Sequence, residues 1–218
     1  MTRWSGSGLS VTEQRRQKRA LILRHAAPLF NRRGSQAATL GAVAAELRIS
    51  KAALYRYVSS KNDLLLACHL EALSIATAAA DAAELQPLDG CSRLQYALRY
   101  HLENMISKLG VPALLLEEDS LDPISMKKVV GMRDAYERRL RKFYADGVAD
   151  GSIVPGNAKL AVFSLLGALN WTAKWYNSNG PWSAADIAEA IAETTTRGIA
   201  TKRRPFRSKL HISATGPR

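Results

Sequence analysis

Residues 39–61 read Thr39-Leu-Gly-Ala-Val-Ala-Ala-Glu-Leu-Arg-Ile-Ser-Lys-Ala-Ala-Leu-Tyr-Arg-Tyr-Val-Ser-Ser-Lys61. Thr39 is placed to cap a short helix over 40–47, with Leu40, Val43, Ala44 and Leu47 recurring on one side at helical spacing. Arg48-Ile49 forms a tight turn, and Ser50 caps a second short helix over 51–58. Ser59-Ser60 breaks the pattern, and Asn62 opens a long helix over about 63–85. Two short capped helices joined by a turn of about three residues make a helix-turn-helix. The second helix starts with Ala52 and Ala53, whose small side chains allow close approach to base edges. It carries Lys51, Tyr55, Arg56 and Tyr57, side chains suited to phosphates and bases.

Outward from this unit the chain stays helical. Upstream, Thr12 opens a helix in which Ile22, Leu23, Ala26, Leu29 and Phe30 share a face, with a kink expected at Pro28 and an end at Gly34. Its front half, Arg15-Arg16-Gln17-Lys18-Arg19, is strongly basic. Downstream, helices are predicted over 92–109, 112–119, 124–149, 157–178 and 184–200, separated by Gly, Pro, Asn and Asp clusters. No stretch alternates with the period of two that a strand requires. The expected fold is therefore all-α: an N-terminal three-helix helix-turn-helix domain plus a C-terminal helical-bundle regulatory and dimerisation domain. The boundaries are a disordered extension over 1–10, a DNA-binding domain over 11–66, a ligand-binding and dimerisation domain over 67–201, and a basic disordered tail over 202–218.

Charge follows the same division. The whole chain carries a net +12. Residues 1–66 hold 12 Lys and Arg against 3 Asp and Glu; residues 67–201 hold 13 against 16; residues 202–218 hold 6 against none. A basic module joined to a mildly acidic body is the electrostatic footprint of a nucleic-acid binder. A binder working through charge alone, on nucleic acid or a membrane surface, is the alternative. It differs in treating all duplexes alike at matched salt.

Other classes find little support. There is no Gly-rich phosphate loop, nucleophile elbow or paired His/Glu spacing, and His25, His69, His101 and His211 are scattered, so an enzyme is not expected. Cys68 and Cys91 lack metal or redox spacing and read as free thiols in a reducing cytoplasm. No cofactor or metal is expected. Residues 1–10 lack the apolar core of a signal peptide. The apolar stretch Leu160 to Trp171 is too short to span a bilayer and reads as a buried helix.

Thr39, Val43-Ala44, Ile49-Ser50, Leu54-Tyr55, Tyr57-Val58, Lys61 and Leu64 together resemble the TetR family of bacterial regulators. The family pattern has a Thr cap, an Ile-Ala pair, a Gly-Val-Ser turn, then Leu-Tyr and, after further positions, Ser-Lys. The resemblance implies that Thr39, Ser50, Lys51, Tyr55, Arg56, Tyr57 and Lys61 face double-stranded operator DNA. It also implies a ligand-responsive homodimer acting as a repressor. Arg48 departs from the family, which usually has Gly there; a left-handed conformation would cost Arg on the order of 1 kcal/mol.

The C-terminal part adds finer expectations. Residues 157–178 are apolar nearly all round and should be covered on every side. Residues 184–200 present a small-residue stripe of Ala184, Ile187, Ala188, Ile191, Ala192 and Thr195, which permits close approach of another helix; the resemblance implies that this helix and 157–178 together meet their two-fold copy in a four-helix interface. The stretch 167–180, followed by Trp182, is similar to a TetR subgroup of fatty-acid and sterol regulators that respond to acyl-CoA thioesters. That likeness implies an effector site around Asn170, Trp171, Lys174 and Trp175. Indoles there could stack on a ring, and Lys174 could pair with a phosphate. Arg133, Met126 and Met132 are expected to line the same cavity.

Overall fold

The computed structural model describes residues 10–111, 113–114 and 120–201. Of the expected helix over 112–119 only Ala113 and Leu114 are described, and they are not helical; its other residues, the extension before Ser10 and the tail over 202–218 lie outside the described residues. Eight helices follow one another among them: α1 (Val11–Ala37), α2 (Leu40–Glu46), α3 (Lys51–Tyr55), α4 (Lys61–Glu84), α5 (Gly90–Leu109), α6 (Pro123–Ala149), α7 (Ala158–Trp175) and α8 (Ala184–Arg197). No strand occurs among these residues; an isolated antiparallel bridge joins Ile153 to Ala200.

Most helix starts carry a side chain that satisfies the free amides of the first turn, as the composition of their caps demands. Ser10, rather than Thr12, accepts from the amide of Glu13 and starts α1. Ser60 does the same for α4, which therefore begins two residues earlier than expected. Asp89, Asp122, Asn157 and Ser183 cap α5, α6, α7 and α8. In α1 the break falls at Gly34, whose φ of 76° no other residue takes without strain, and not at Pro28.

The buried side chains form two clusters. One gathers α1, α2 and α3 around Ile22, Phe30, Val43, Leu54 and Leu64, and continues into Met105, Leu109 and Val129 of the body. The other runs from Ala76 through Leu94, Leu98, Leu102, Leu140, Val162 and Ala188. The helix α4 contributes to both. By length and composition it could cross a bilayer, and it outdoes Leu160–Trp171 in that respect; here its apolar side chains are the seam between the clusters. We call α1–α3 the reading head and α5–α8 the body.

Two polar tethers fix head to body beside this seam. The Asn31 side chain donates to the carbonyl of Ala113 at 2.7 Å. Asn62, in the first turn of α4, exchanges two hydrogen bonds with Asp122, the cap of α6: 2.6 Å to its carboxylate and 3.0 Å from its amide.

The C-terminal helices differ from expectation. The stripe of α8 packs within the same chain, against α5, burying Ile187, Ala188 and Ala192. The close approach that these small residues permit is thus made to a helix of the same chain. Within one chain α7 is not covered all round: Val162, Leu165, Leu169 and Thr172 are buried, whereas Leu160 and Trp171 are each 64% exposed and Phe163 is 49% exposed. A single chain supplies neighbours to only one side of α7, and its opposite apolar face is left open.

Candidate DNA interface and effector cavity

The helix-turn-helix assembles as its caps dictate. Thr39 Oγ1 accepts from the amide of Ala42 at 3.1 Å, and Ser50 Oγ from that of Ala53 at 3.1 Å. Each cap holds a short helix that could not persist alone. Between them Arg48 takes φ 55°, the left-handed conformation that the turn requires. The helix α3 stops at Tyr55, three residues earlier than expected, because the amides of Tyr57 and Val58 both turn back to the carbonyl of Leu54.

The side chains expected to meet DNA divide into three groups. Lys51, Tyr55 and Arg56 are exposed, with the Lys51 ammonium 5.9 Å from the centre of the Tyr55 ring. Thr39 and Ser50 are also exposed, and each already holds a backbone amide through its hydroxyl. Tyr57 and Lys61 are half-buried: Tyr57 packs against the head's core, and the Lys61 ammonium donates to the carbonyl of Gln36 at 3.1 Å. Lys61 thus ties the end of α1 to the start of α4. Arg48, exposed on the turn between α2 and α3, is a further cation beside them.

In the body a cavity of about 590 Å³ lies between α4, α5, α6 and α7. Its buried part is formed by His69, Leu73 and Ala76 of α4, Met105 of α5 and Tyr136 of α6. Its rim is charged, with Arg133, Arg138, Arg141 and Lys159 against Asp134 and Glu137. Arg141 Nε sits 2.9 Å from Glu137 Oε1, close enough for an ion pair but out of line for a hydrogen bond. His101 Nδ1 lies 3.1 Å from the Tyr136 hydroxyl, with the two rings edge to face. Burial, aided by the nearby Arg133 guanidinium, lowers His69 to about 4; burial alone lowers His101 to about 4. Both imidazoles are neutral at pH 7.

The structure brings only part of the expected effector set to this cavity. Arg133 and Asn170 are among its lining residues. Trp171, Lys174 and Trp175 are not: all three are exposed, on the side of α7 that the chain leaves open. The reason is helical phase, since 100° per residue turns Trp171 away from a cavity that Asn170 faces. Met126 and Met132 pack against the head's cluster instead. Sequence reasoning missed His69, His101 and Tyr136, because no local pattern marks residues drawn from three helices. The charged rim left a faint trace in the row Arg133, Glu137, Arg141, spaced four apart on α6.

Two family models match the chain. Residues 22–68 match the bacterial regulatory proteins of the tetR family, and residues 88–199 match the tetracyclin repressor-like C-terminal domain. The TetR family transcriptional regulator PfmR from Thermus thermophilus is 30% identical, with a TM-score of 0.69, covering 84% of this chain and 99% of its own. A TetR/AcrR regulator from Thermobifida fusca is 27% identical, with a TM-score of 0.58, over 86% and 100% of the two chains. AibR, solved in complex with isovaleryl coenzyme A and operator DNA, shares the fold at 23% identity and a TM-score of 0.66, over 83% and 97%. No curated protein sequence matches the chain significantly. TetR-family regulators are DNA-binding transcription factors and not enzymes. With both family models on consecutive stretches of its helices, the chain belongs to the TetR family of bacterial transcriptional regulators.

Proposed function

We propose that this protein is a homodimeric cytoplasmic repressor that leaves a palindromic operator when an anionic effector, an acyl-CoA thioester, fills the body's cavity. The observation that carries the reading is the double membership of α4. It starts at Lys61, directly after α3, and its His69, Leu73 and Ala76 line the cavity. A ligand that displaces α4 therefore moves the reading head. Only unequal affinity for the two positions can drive the release, and a tenfold loss of operator affinity needs about 1.4 kcal/mol of coupling.

Three features support the details. The uncovered face of α7, with Leu160, Phe163 and Trp171, is suited to a two-fold copy, whose operator half-sites would then lie a whole number of helical turns apart, about 34–36 Å each. The cavity volume is ordinary for a small-molecule site. Four cations against two carboxylates at its rim favour an anion, and the AibR complex supplies a precedent on the same fold. An acyl-CoA exceeds the cavity, so the acyl end would enter and the phosphates would stay at the rim. Lys51, Tyr55 and Arg56 would carry most of the DNA contact, with Thr39, Ser50, Tyr57 and Lys61 holding the module in shape.

Selection of bound duplexes from a random pool at about 0.15 M salt tests this. The expected result is an enriched inverted repeat that isovaleryl-CoA or a longer acyl-CoA releases. Enrichment of no sequence would favour the charge-driven alternative. Enrichment without release by any acyl-CoA would leave the regulator and remove the thioester.

A further inference from the structure

We infer that the effector cavity is completed across the dimer, with the partner's Trp171 closing its mouth. This rests on the homodimer and the acyl-CoA effector proposed above, and it assigns the missing wall to the second copy. The cavity opens between α6 and α7, where Val130 is 41% exposed and Phe163 is 49% exposed although both line it. Lys159 and Gly167 of α7 line the same edge and are exposed as well. Phe163 and Gly167 also belong to the uncovered face of α7, with Leu160 and Trp171. At 100° per residue this face adjoins the side of the helix that meets the cavity, and the two residues are shared by both. Whatever covers the open face of α7 therefore borders the mouth.

The face itself points to its occupant. Gly167 stands at the middle of α7, and a Cβ there would meet no atom of the chain within 4 Å. Leu160 lies about two turns before it and Trp171 about one turn after, while the charged residues of α7, Lys159 and Lys174, stand near its two ends. Such a helix can approach a copy of itself closely at the glycine and pack large apolar groups on either side. Dimerisation is typical of the TetR family. Whether the two helices run alike or opposed, the partner's Trp171 then comes over Gly167, a residue of the cavity wall. Within its own chain Trp171 is 64% exposed and does not line the cavity. Its indole acts in the other subunit, as apolar cover for the acyl chain where this leaves the cavity beside the cations of the rim. A ligand held by both chains favours one arrangement of the pair, and the spacing of the two reading heads follows.

Subunit mixing tests this in the full-length protein, with octanoyl-CoA as the calorimetric probe. Trp171→Ala should weaken its binding by about tenfold, the scale of one aromatic contact. A double variant, Arg133→Glu with Arg138→Glu, reverses two exposed cations of the rim and should weaken it at least as much. Mixed dimers of the two variants, purified through different tags, should regain one site of wild-type affinity. That site joins the cavity of the Trp171→Ala chain to the partner's Trp171. If Trp171→Ala sediments as a monomer, Trp171→Leu, which keeps an apolar contact, takes its place. Unchanged affinity in the Trp171 variant, or mixed dimers without a wild-type site, overturns the shared cavity while the acyl-CoA reading stands. A cross-link checks the geometry without any effector: a short bismaleimide should join Gly167→Cys chains to Trp171→Cys chains, and the lack of a joined pair overturns the proposal. If octanoyl-CoA gives no heat with the wild type, the thioester reading falls and the cross-link alone decides on the shared mouth.

Discussion

In the reading head, Thr39 and Ser50 each complete their work within three residues, and the exposed Lys51, Tyr55 and Arg56 lie inside one six-residue stretch. In the body, His69, His101, Arg133, Tyr136 and Asn170 come from four helices spread over a hundred residues. The head keeps its chemistry outside its core, on a surface shaped by local caps. The body places its chemistry in a gap within its own packing. One consequence is mechanical. The two short helices of the head each start from one capping hydrogen bond of about 1 kcal/mol, whereas in the body backbones meet without room to spare.

The sharpest expression of that difference is Gly90. A Cβ there would lie 2.1 Å from the amide nitrogen of Gly147 and 2.7 Å from the carbonyl of Phe143, all backbone atoms that no rotamer change can move aside. Gly90→Ala should therefore cost about 3 kcal/mol or more, read as a lowered urea midpoint. In the head, Ser50→Ala should cost only about 1 kcal/mol in the same measurement. Comparable losses at the two sites would end the distinction.

Acid should also act on the cavity side of α4. His69 and His101 are held near 4 by burial against an ordinary 6.5. Between those values the unfolded chain binds protons that the folded chain refuses, so stability is complete above about pH 6.5 and falls as the pH drops toward 4. Urea titrations at pH 7 and pH 4.5 should differ by up to about 5 kcal/mol, roughly half from each imidazole. His69→Gln, with no group to protonate, should show a smaller difference. A pH-independent midpoint would mean that these imidazoles are not sequestered from water.

The smallest expected effect is a gain in the head. Arg48 sits at φ 55°, where a Cβ is unfavourable. Arg48→Gly should stabilise the protein by about 0.5–1 kcal/mol, less than the full strain because Gly also loosens the unfolded chain. The melting temperature records the gain. Operator affinity should fall slightly, since an exposed cation on the reading turn is lost.

How much of this could be read from the chain follows from the same contrast. The caps at Thr39 and Ser50, the left-handed turn at Arg48 and the all-helical character depend on interactions within four or five residues, and sequence order displays these directly. Helix starts slipped by two residues where Ser10 and Ser60 captured an amide before the expected cap. The family resemblance held across both halves of the chain.

What tertiary structure decided is which face of each helix meets which neighbour. An apolar period shows that α7 and α8 have sides to bury, but not that α5 of the same chain covers α8 while half of α7 stays open. The likeness to the acyl-CoA-responsive subgroup put Trp171, Lys174 and Trp175 with Asn170 in one effector site, where the 100° step of the helix separates them. His69 reads in the sequence as one scattered histidine among four, because its place in the wall of a cavity exists only once α4, α5, α6 and α7 are assembled. Local hydrogen bonds are a property of consecutive residues, and the sequence determined them by itself; cavities and uncovered faces are what packing leaves over, and only the assembled chain determines those.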